Sequence, residues 1–171
     1  YSPYNFRRCP ASTLKPIISY APALEKGLIV PNSPILNEKT DFDGYSPKNY
    51  NDKYLGWTNV NDSLINSSNV CSVKLLKAVG VNNSFELAKD FGISLSPKDG
   101  LATALGGTTN GQTIVDILSA YSTIANGGIR KNIGAIKAIY DKNGKRVYCH
   151  QENEKRVISE DTSYFLTKML I

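Results

Sequence analysis

Ser12 and Lys15 stand three residues apart in Arg8-Cys9-Pro10-Ala11-Ser12-Thr13-Leu14-Lys15-Pro16, where an apolar helical pattern begins. Residues i and i+3 share a helix face, so a hydroxyl and an amine are aimed at one spot: Ser12 as nucleophile, Lys15 as the base or charge beside it. A second polar cluster, Ser67-Ser68-Asn69, falls at a junction between two apolar helices. Neither triplet is informative alone. With 16 serines, 15 lysines and 16 asparagines in 171 residues, chance supplies about 1.4 Ser-x-x-Lys and about 1.5 Ser-x-Asn matches. Taken singly, Ser12 reads as readily as an N-cap with Lys15 solvated, and Ser67-Ser68-Asn69 as a helix cap. Each pattern occurs once, and the two are 55 residues apart.

Other chemistries find less support. The 20 basic residues exceed the 15 acidic ones, giving +5, but they are scattered and never form a run of five. That charge suits anionic surroundings such as envelope polymers or lipid headgroups. No phosphate-binding glycine loop or aromatic RNA motif accompanies it, so nucleic acid is excluded as a partner. Cys9, Cys71 and Cys149 are odd in number and widely spaced, without the Cys-x-x-Cys pairs of zinc or redox sites. Cys9 could rival Ser12 as nucleophile, but Cys-His catalysis needs a base, and His150 is the only histidine. The same lone histidine argues against a Ser-His-Asp triad.

The composition, 41% hydrophobic and 20% charged, is that of one globular domain or a large piece of one. No apolar run approaches the roughly 18 residues that span a bilayer, and no secretory signal is visible. Residues 13–26 form a helix that Gly27 ends, with Pro16 tolerated in the first turn. Ile17, Ile18, Tyr20, Ala21 and Leu24 make that helix apolar on most sides, a costly place for Lys15 unless its amine gains partners or loses its charge. Residues 29–57 read as one long ordered loop, of which 42–50 could wall a cleft. Helices follow at 60–65 and 70–79, then at 85–91 capped by Ser84, and at 114–125 capped by Thr113. Residues 105–111 read as a tight turn. Residues 133–140 and 145–149 form a hairpin about Asn143-Gly144, and Ser159 caps a final helix with Glu160 and Asp161 at its positive end. That helix is still periodic at Ile171, which suggests a fragment of a longer polypeptide.

In this order, Ser12-Thr13-Leu14-Lys15-Pro16, the loop with Asn49-Tyr50 and Gly56, Ser67-Ser68-Asn69, Leu105-Gly106-Gly107-Thr108-Thr109, Ala120-Tyr121-Ser122 with Ala125-Asn126-Gly127-Gly128, and Ile158-Ser159-Glu160-Asp161 resemble the transpeptidase domain of class A penicillin-binding proteins. The resemblance covers nearly all of the chain. It implies an α+β fold, of which residues 1–171 are the mostly helical part of a transpeptidase domain, related to serine β-lactamases, with the central antiparallel sheet largely missing. Two small departures stand out. The family usually has glycine where this chain has Ala11, and phenylalanine or methionine where it has Leu14.

The resemblance implies that Ser12 attacks the carbonyl between the terminal D-alanines of a peptidoglycan stem peptide, forming an acyl-enzyme that a second stem-peptide amine resolves into a cross-link. Lys15 takes the serine proton, Ser67 relays a proton to the leaving nitrogen, and Asn69 holds the acyl-side amide. β-Lactams intercept Ser12 covalently, and no metal or cofactor is needed. The work is done at the extracytoplasmic face of the bacterial cell membrane, through an anchor this chain lacks. The family's Lys-Thr-Gly motif is absent from these residues, so the remaining C-terminal part of the domain, in the same or a separate chain, is expected to complete the site, and this segment alone is expected to be inactive. The alternatives are a β-lactamase or D,D-carboxypeptidase on the same fold, and a non-catalytic β-lactam sensor or scaffold.

Overall fold

A computed structural model describes residues 3–151 and 153–171. Its centre is a continuous helical stretch that changes pitch twice: a 3-10 turn at Ala11–Leu14, a π turn at Pro16–Tyr20, then α1 at Ala21–Glu25. Pro16 and Pro22 each remove a backbone donor from the ladder, and the changes in hydrogen-bond register fall where they sit. The stretch begins two residues before the expected Thr13, as a 3-10 turn without a capping side chain. It ends as expected, with Gly27 in the left-handed region. Leu14, Ile17, Ile18 and Tyr20 are fully buried.

Around this stretch pack α2 (Val60–Ile65), α3 (Asn69–Val79), α4 (Val81–Asp90), a 3-10 segment (Gly100–Leu105), α5 (Ile114–Ala125) and α6 (Glu160–Met169). The sequence signals for α5 and α6 are realised side chain by side chain. Thr113 and Asp116 form a reciprocal capping box, and the Ser159 hydroxyl accepts from the Thr162 N–H. Ser84 does not cap α4. That helix starts at Val81 directly after Gly80, whose φ of +89° turns the chain out of α3, and Ser84 is buried inside it.

Among the described residues, three two-stranded antiparallel sheets accompany the helices. The expected loop at 29–57 contains β1 (Pro34–Asn37), which pairs with β2 (Gly56–Asn59) in the register Pro34 to Asn59 through Asn37 to Gly56. The connection between them is the loop proper. β3 (Ile129–Lys131) pairs with β6 (Glu154–Arg156), three-residue strands that the sequence reading does not contain. The hairpin is present as β4 (Ala138–Tyr140) and β5 (Arg146–Cys149), with a bulge at Ile139/Tyr140. Its first strand is shorter than the expected 133–140.

Candidate active site

The turn that carries Ser12 is stapled from behind. Arg8 and Gln112 exchange backbone hydrogen bonds at 3.0 and 2.7 Å, and the Cys9 thiol donates to the Gly106 carbonyl at 2.7 Å. Gly106, at φ +79°, packs so closely on Ala11 that a β-carbon there would stand 2.0 Å from the Ala11 oxygen. Ala11 itself has φ +49°, a left-handed backbone that costs an alanine and suits a glycine. The departure seen in the sequence at this position is therefore a local strain immediately before Ser12. From the other side the Tyr121 hydroxyl donates to the Thr13 carbonyl at 2.8 Å. Ser12 is exposed, and its N–H lies in the first turn, where helical donors have no intrahelical acceptor.

Lys15, one turn on, is 1% exposed. Its Nζ donates to the Ser67 carbonyl at 2.5 Å, the Ser67 hydroxyl at 2.9 Å and Asn69 Oδ1 at 2.6 Å. Two segments more than 50 residues apart are thereby joined through one amine. Ser67 has φ +50°, and this left-handed residue between α2 and α3 offers both its carbonyl and its hydroxyl to the same nitrogen. Burial lowers the Lys15 pKa from its ordinary 10.5 to about 8, and the nearby Cys71 sulfur opposes this only where its thiol ionises. Cys71 is fully buried, which pushes its thiol up, so it stays protonated at neutral pH. Of the two remedies foreseen for a buried lysine, partners are in place, and the lowered pKa makes loss of the charge easier.

The structure brings Lys15, Ser67 and Asn69 into direct contact, and it places Ser12 beside them without a bond to Lys15. The Ser12 hydroxyl has no hydrogen-bond partner among the described residues, and the three Nζ–H donors of Lys15 are directed to Ser67 and Asn69. A neutral amine has two donors and a lone pair, so deprotonation of Lys15 frees one direction for the serine proton.

Ser12 and Ser67 line both of two adjoining clefts. One, about 440 Å³, is walled by Leu64, Ile65, Tyr121 and Met169; the other, about 580 Å³, by Lys48, Asn49, Tyr50 and Asn69. The loop expected to wall a cleft does so through Lys48, Asn49 and Tyr50. A further cleft of about 470 Å³ over Phe85, Lys89 and Ile93 contains none of the candidate residues. His150 has its Nε2 3.3 Å from the Asn132 carbonyl beside the β4–β5 hairpin, and it lines neither Ser12 cleft.

Three contributors escaped sequence reasoning as individuals. Asn49 caps α3, Tyr121 holds the Thr13 carbonyl, and Gly106 accommodates Ala11. Each acts across 20 or more residues, so no local spacing marks it.

The model for the penicillin binding protein transpeptidase domain matches residues 3–171. The chain is 35% identical over 163 residues to penicillin-binding protein 1F of Bacillus subtilis, covering 95% of this chain and 23% of that protein. It is 30% identical over 178 residues to penicillin-binding protein 4 of the same organism, covering 99% and 28%. The chain therefore spans about a quarter of the length of these curated relatives. Among solved structures, penicillin-binding protein 3 of Mycobacterium tuberculosis, complexed with aztreonam, superposes with a TM-score of 0.87 at 21% identity, covering 98% of this chain and 42% of that one. Penicillin-binding protein A of the same organism, as an imipenem acyl-enzyme complex, gives 0.84 at 19% identity, covering 95% and 43%. At these identities the superpositions establish the fold.

Proposed function

The chain belongs to the penicillin-binding protein transpeptidase family, and from that membership we propose that Ser12 is the nucleophile of a D,D-transpeptidase that cross-links peptidoglycan stem peptides and that β-lactams acylate. The observation that carries the reading is the Lys15 amine, buried, held by Ser67 and Asn69, and with a pKa lowered to about 8, on a cleft that also exposes Ser12. An amine in that condition is neutral often enough at physiological pH to act as a base.

In the proposed sequence, Lys15 takes the Ser12 hydroxyl proton as Oγ adds to the carbonyl carbon of the penultimate D-alanine. The C–N bond then breaks. The leaving nitrogen receives that proton by way of the Ser67 hydroxyl, and D-alanine departs, leaving an ester on Ser12. The amine of a second stem peptide attacks the ester, gives up a proton to Lys15, and releases Ser12, which recovers the proton. Asn69, whose amide also bonds the Lys48 carbonyl at 2.6 Å, orients the acyl-side amide. The Ser12 N–H is one donor to the oxyanion of each tetrahedral intermediate. The reading assigns the second donor and the carboxylate-binding strand to a Lys-Thr-Gly segment outside these 171 residues, and residues 1–171 to one part of a single transpeptidase domain. It also places the protein at the extracytoplasmic face of the cell membrane. No helix among the described residues is long and apolar enough to cross a membrane; by the family resemblance, anchoring is proposed to lie in another segment.

A β-lactam strains the same amide bond and keeps its leaving nitrogen tethered to the acyl group, so the Ser12 ester persists. The test is turnover of a stem-pentapeptide donor by the intact protein with and without a D-amino-acid acceptor. Transpeptidation gives the exchanged peptide. Hydrolysis alone, with no exchange at high acceptor, would assign the protein to the carboxypeptidases or β-lactamases. A stable penicillin adduct with no peptide turnover would make it a sensor.

A further inference from the structure

Asn49 is 8% exposed and lies 20 residues before Asn69, in the connection between β1 and β2. Its side chain makes five hydrogen bonds. Oδ1 accepts from the Asn69 N–H at 2.9 Å, the Val70 N–H at 3.2 Å and the Ser68 hydroxyl at 3.3 Å. Nδ2 donates to Asn37 Oδ1 at 2.6 Å and to the Lys53 carbonyl at 3.0 Å. The two N–H groups belong to the first residues of α3, which have no intrahelical acceptor. Ser68, the ordinary N-cap, takes only the Cys71 N–H at 3.2 Å, so the remaining donors depend on Asn49.

Asn69 is gripped a second time from the same loop. Its Nδ2 donates to the Lys48 carbonyl at 2.6 Å, which leaves Oδ1 turned toward Lys15 Nζ. Lys48 and Asn49 therefore fix both the backbone and the side-chain rotation of Asn69. Ser67, which supplies the two other acceptors of the amine, directly precedes Ser68, whose hydroxyl bonds Asn49.

We infer that Asn49 is a positioning residue for acylation: its carboxamide locks the Ser67-Ser68-Asn69 junction in the one arrangement that holds the Lys15 amine beside Ser12. The inference rests on the reading of Ser12 as nucleophile. The two ends of the carboxamide are separable. An aspartate at this position keeps the acceptor that faces the positive end of α3, where a negative charge is favoured, and loses only the donor. A leucine has similar volume and supplies neither.

The experiment measures acylation of the intact protein by a fluorescent penicillin at increasing concentration, separating the non-covalent constant K from the acylation rate constant k2. Asn49→Leu is expected to lower k2 by about tenfold or more, the scale set by small misplacements of catalytic groups, with K within about threefold. Asn49→Asp is expected to lower k2 by about threefold to tenfold, less than the leucine variant, because the acceptor to α3 survives while the donor bonds to Asn37 and the Lys53 carbonyl are lost. A merely structural asparagine would lower the melting temperature and leave k2 of the folded Asn49→Leu protein unchanged, and that result overturns the inference. Should Asn49→Leu not fold, Asn37→Ala removes the 2.6 Å acceptor that fixes the carboxamide. It is expected to lower k2 by about threefold to tenfold, and an unchanged k2 there overturns the inference equally. A wild type that forms no adduct overturns the nucleophile reading, and this inference falls with it. Wild-type acylation with an unaffected leucine variant overturns this inference alone.

Discussion

Replacing Gly106 with alanine tests how Ser12 is held without touching any group proposed to react. The new methyl would stand 2.0 Å from the Ala11 oxygen and 2.5 Å from its Cα, against about 3.4 Å for ordinary contact, so roughly 1.4 Å of separation has to be found. Both colliding partners are backbone, and no rotamer change relieves them. A residue with a β-carbon at φ +79° adds about 1–2 kcal/mol of backbone strain. Ala11 directly precedes Ser12, so the displacement is delivered to the proposed nucleophile, and a shift of about 1 Å costs on the order of 10²-fold in rate. Gly144 supplies the control. It has the same φ of +79°, in the hairpin turn, but open space around its β-position. Gly144→Ala is expected to lose about 1–2 kcal/mol of stability and keep k2. Gly106→Ala is expected to lose more stability and about 10²-fold in k2. Single-turnover acylation by a fluorescent penicillin, with circular dichroism to confirm folding, reads both variants. A folded Gly106→Ala protein with k2 within about threefold of wild type would refute the claim that this contact places Ser12.

Ala11→Gly relieves the left-handed strain at φ +49° and loosens the unfolded chain; the net is a gain of about 0.5–1 kcal/mol, read as a rise in denaturant midpoint. A lower midpoint would show that the alanine is not strained. With a Lys15 pKa of about 8, its neutral fraction rises from about 1% at pH 6 to about 10% at pH 7 and about half at pH 8. Acylation should follow that curve to a plateau above pH 9, and a flat profile between pH 6 and 8 would remove Lys15 as the base. The same shift has a stability consequence. The folded pKa lies below the unfolded 10.5, so the folded state binds fewer protons between about pH 8 and 10.5. The cost of burying the amine is full below that window and fades as pH rises through it. Wild type should therefore gain stability relative to Lys15→Met across that range, in denaturant titrations at fixed pH. Tyr121→Phe loses the 2.8 Å bond to the Thr13 carbonyl and should cost about 1 kcal/mol of stability with a severalfold drop in k2. An unchanged k2 would make Tyr121 a wall of the cleft only.

The pairing of Lys15 with Ser67 and Asn69 was legible through the family resemblance; helix spacing, the junction between apolar helices and the cost of burying an amine are compatible with it but equally with plain caps. The caps at Thr113 and Ser159 were legible because they are local. Ser84 misled because a serine before an apolar run resembles a cap, whereas Gly80, by ending α3, had already set the start of α4. The strands β1, β2, β3 and β6 are three or four residues long and mostly half-exposed or exposed. Such segments show no alternation strong enough to separate them from loop, and their pairing is decided by contacts 19 or more residues away. The support for the site follows the same pattern. Asn49, Gly106 and Tyr121 act at long range on Asn69, Ala11 and Thr13, and only the folded chain reveals which partner each one meets.

The central claim is that Ser12 is the acylated nucleophile. The measurement that tests it most directly is intact-mass spectrometry of the protein after incubation with a penicillin, followed by peptide mapping, on wild type, Ser12→Ala and Ser67→Ala. Wild type is expected to carry one penicillin mass, mapped to Ser12, with a smaller yield at the same residue on Ser67→Ala and none on Ser12→Ala. An adduct that persists on folded Ser12→Ala, or that maps to Cys9 or Ser67, would contradict that claim.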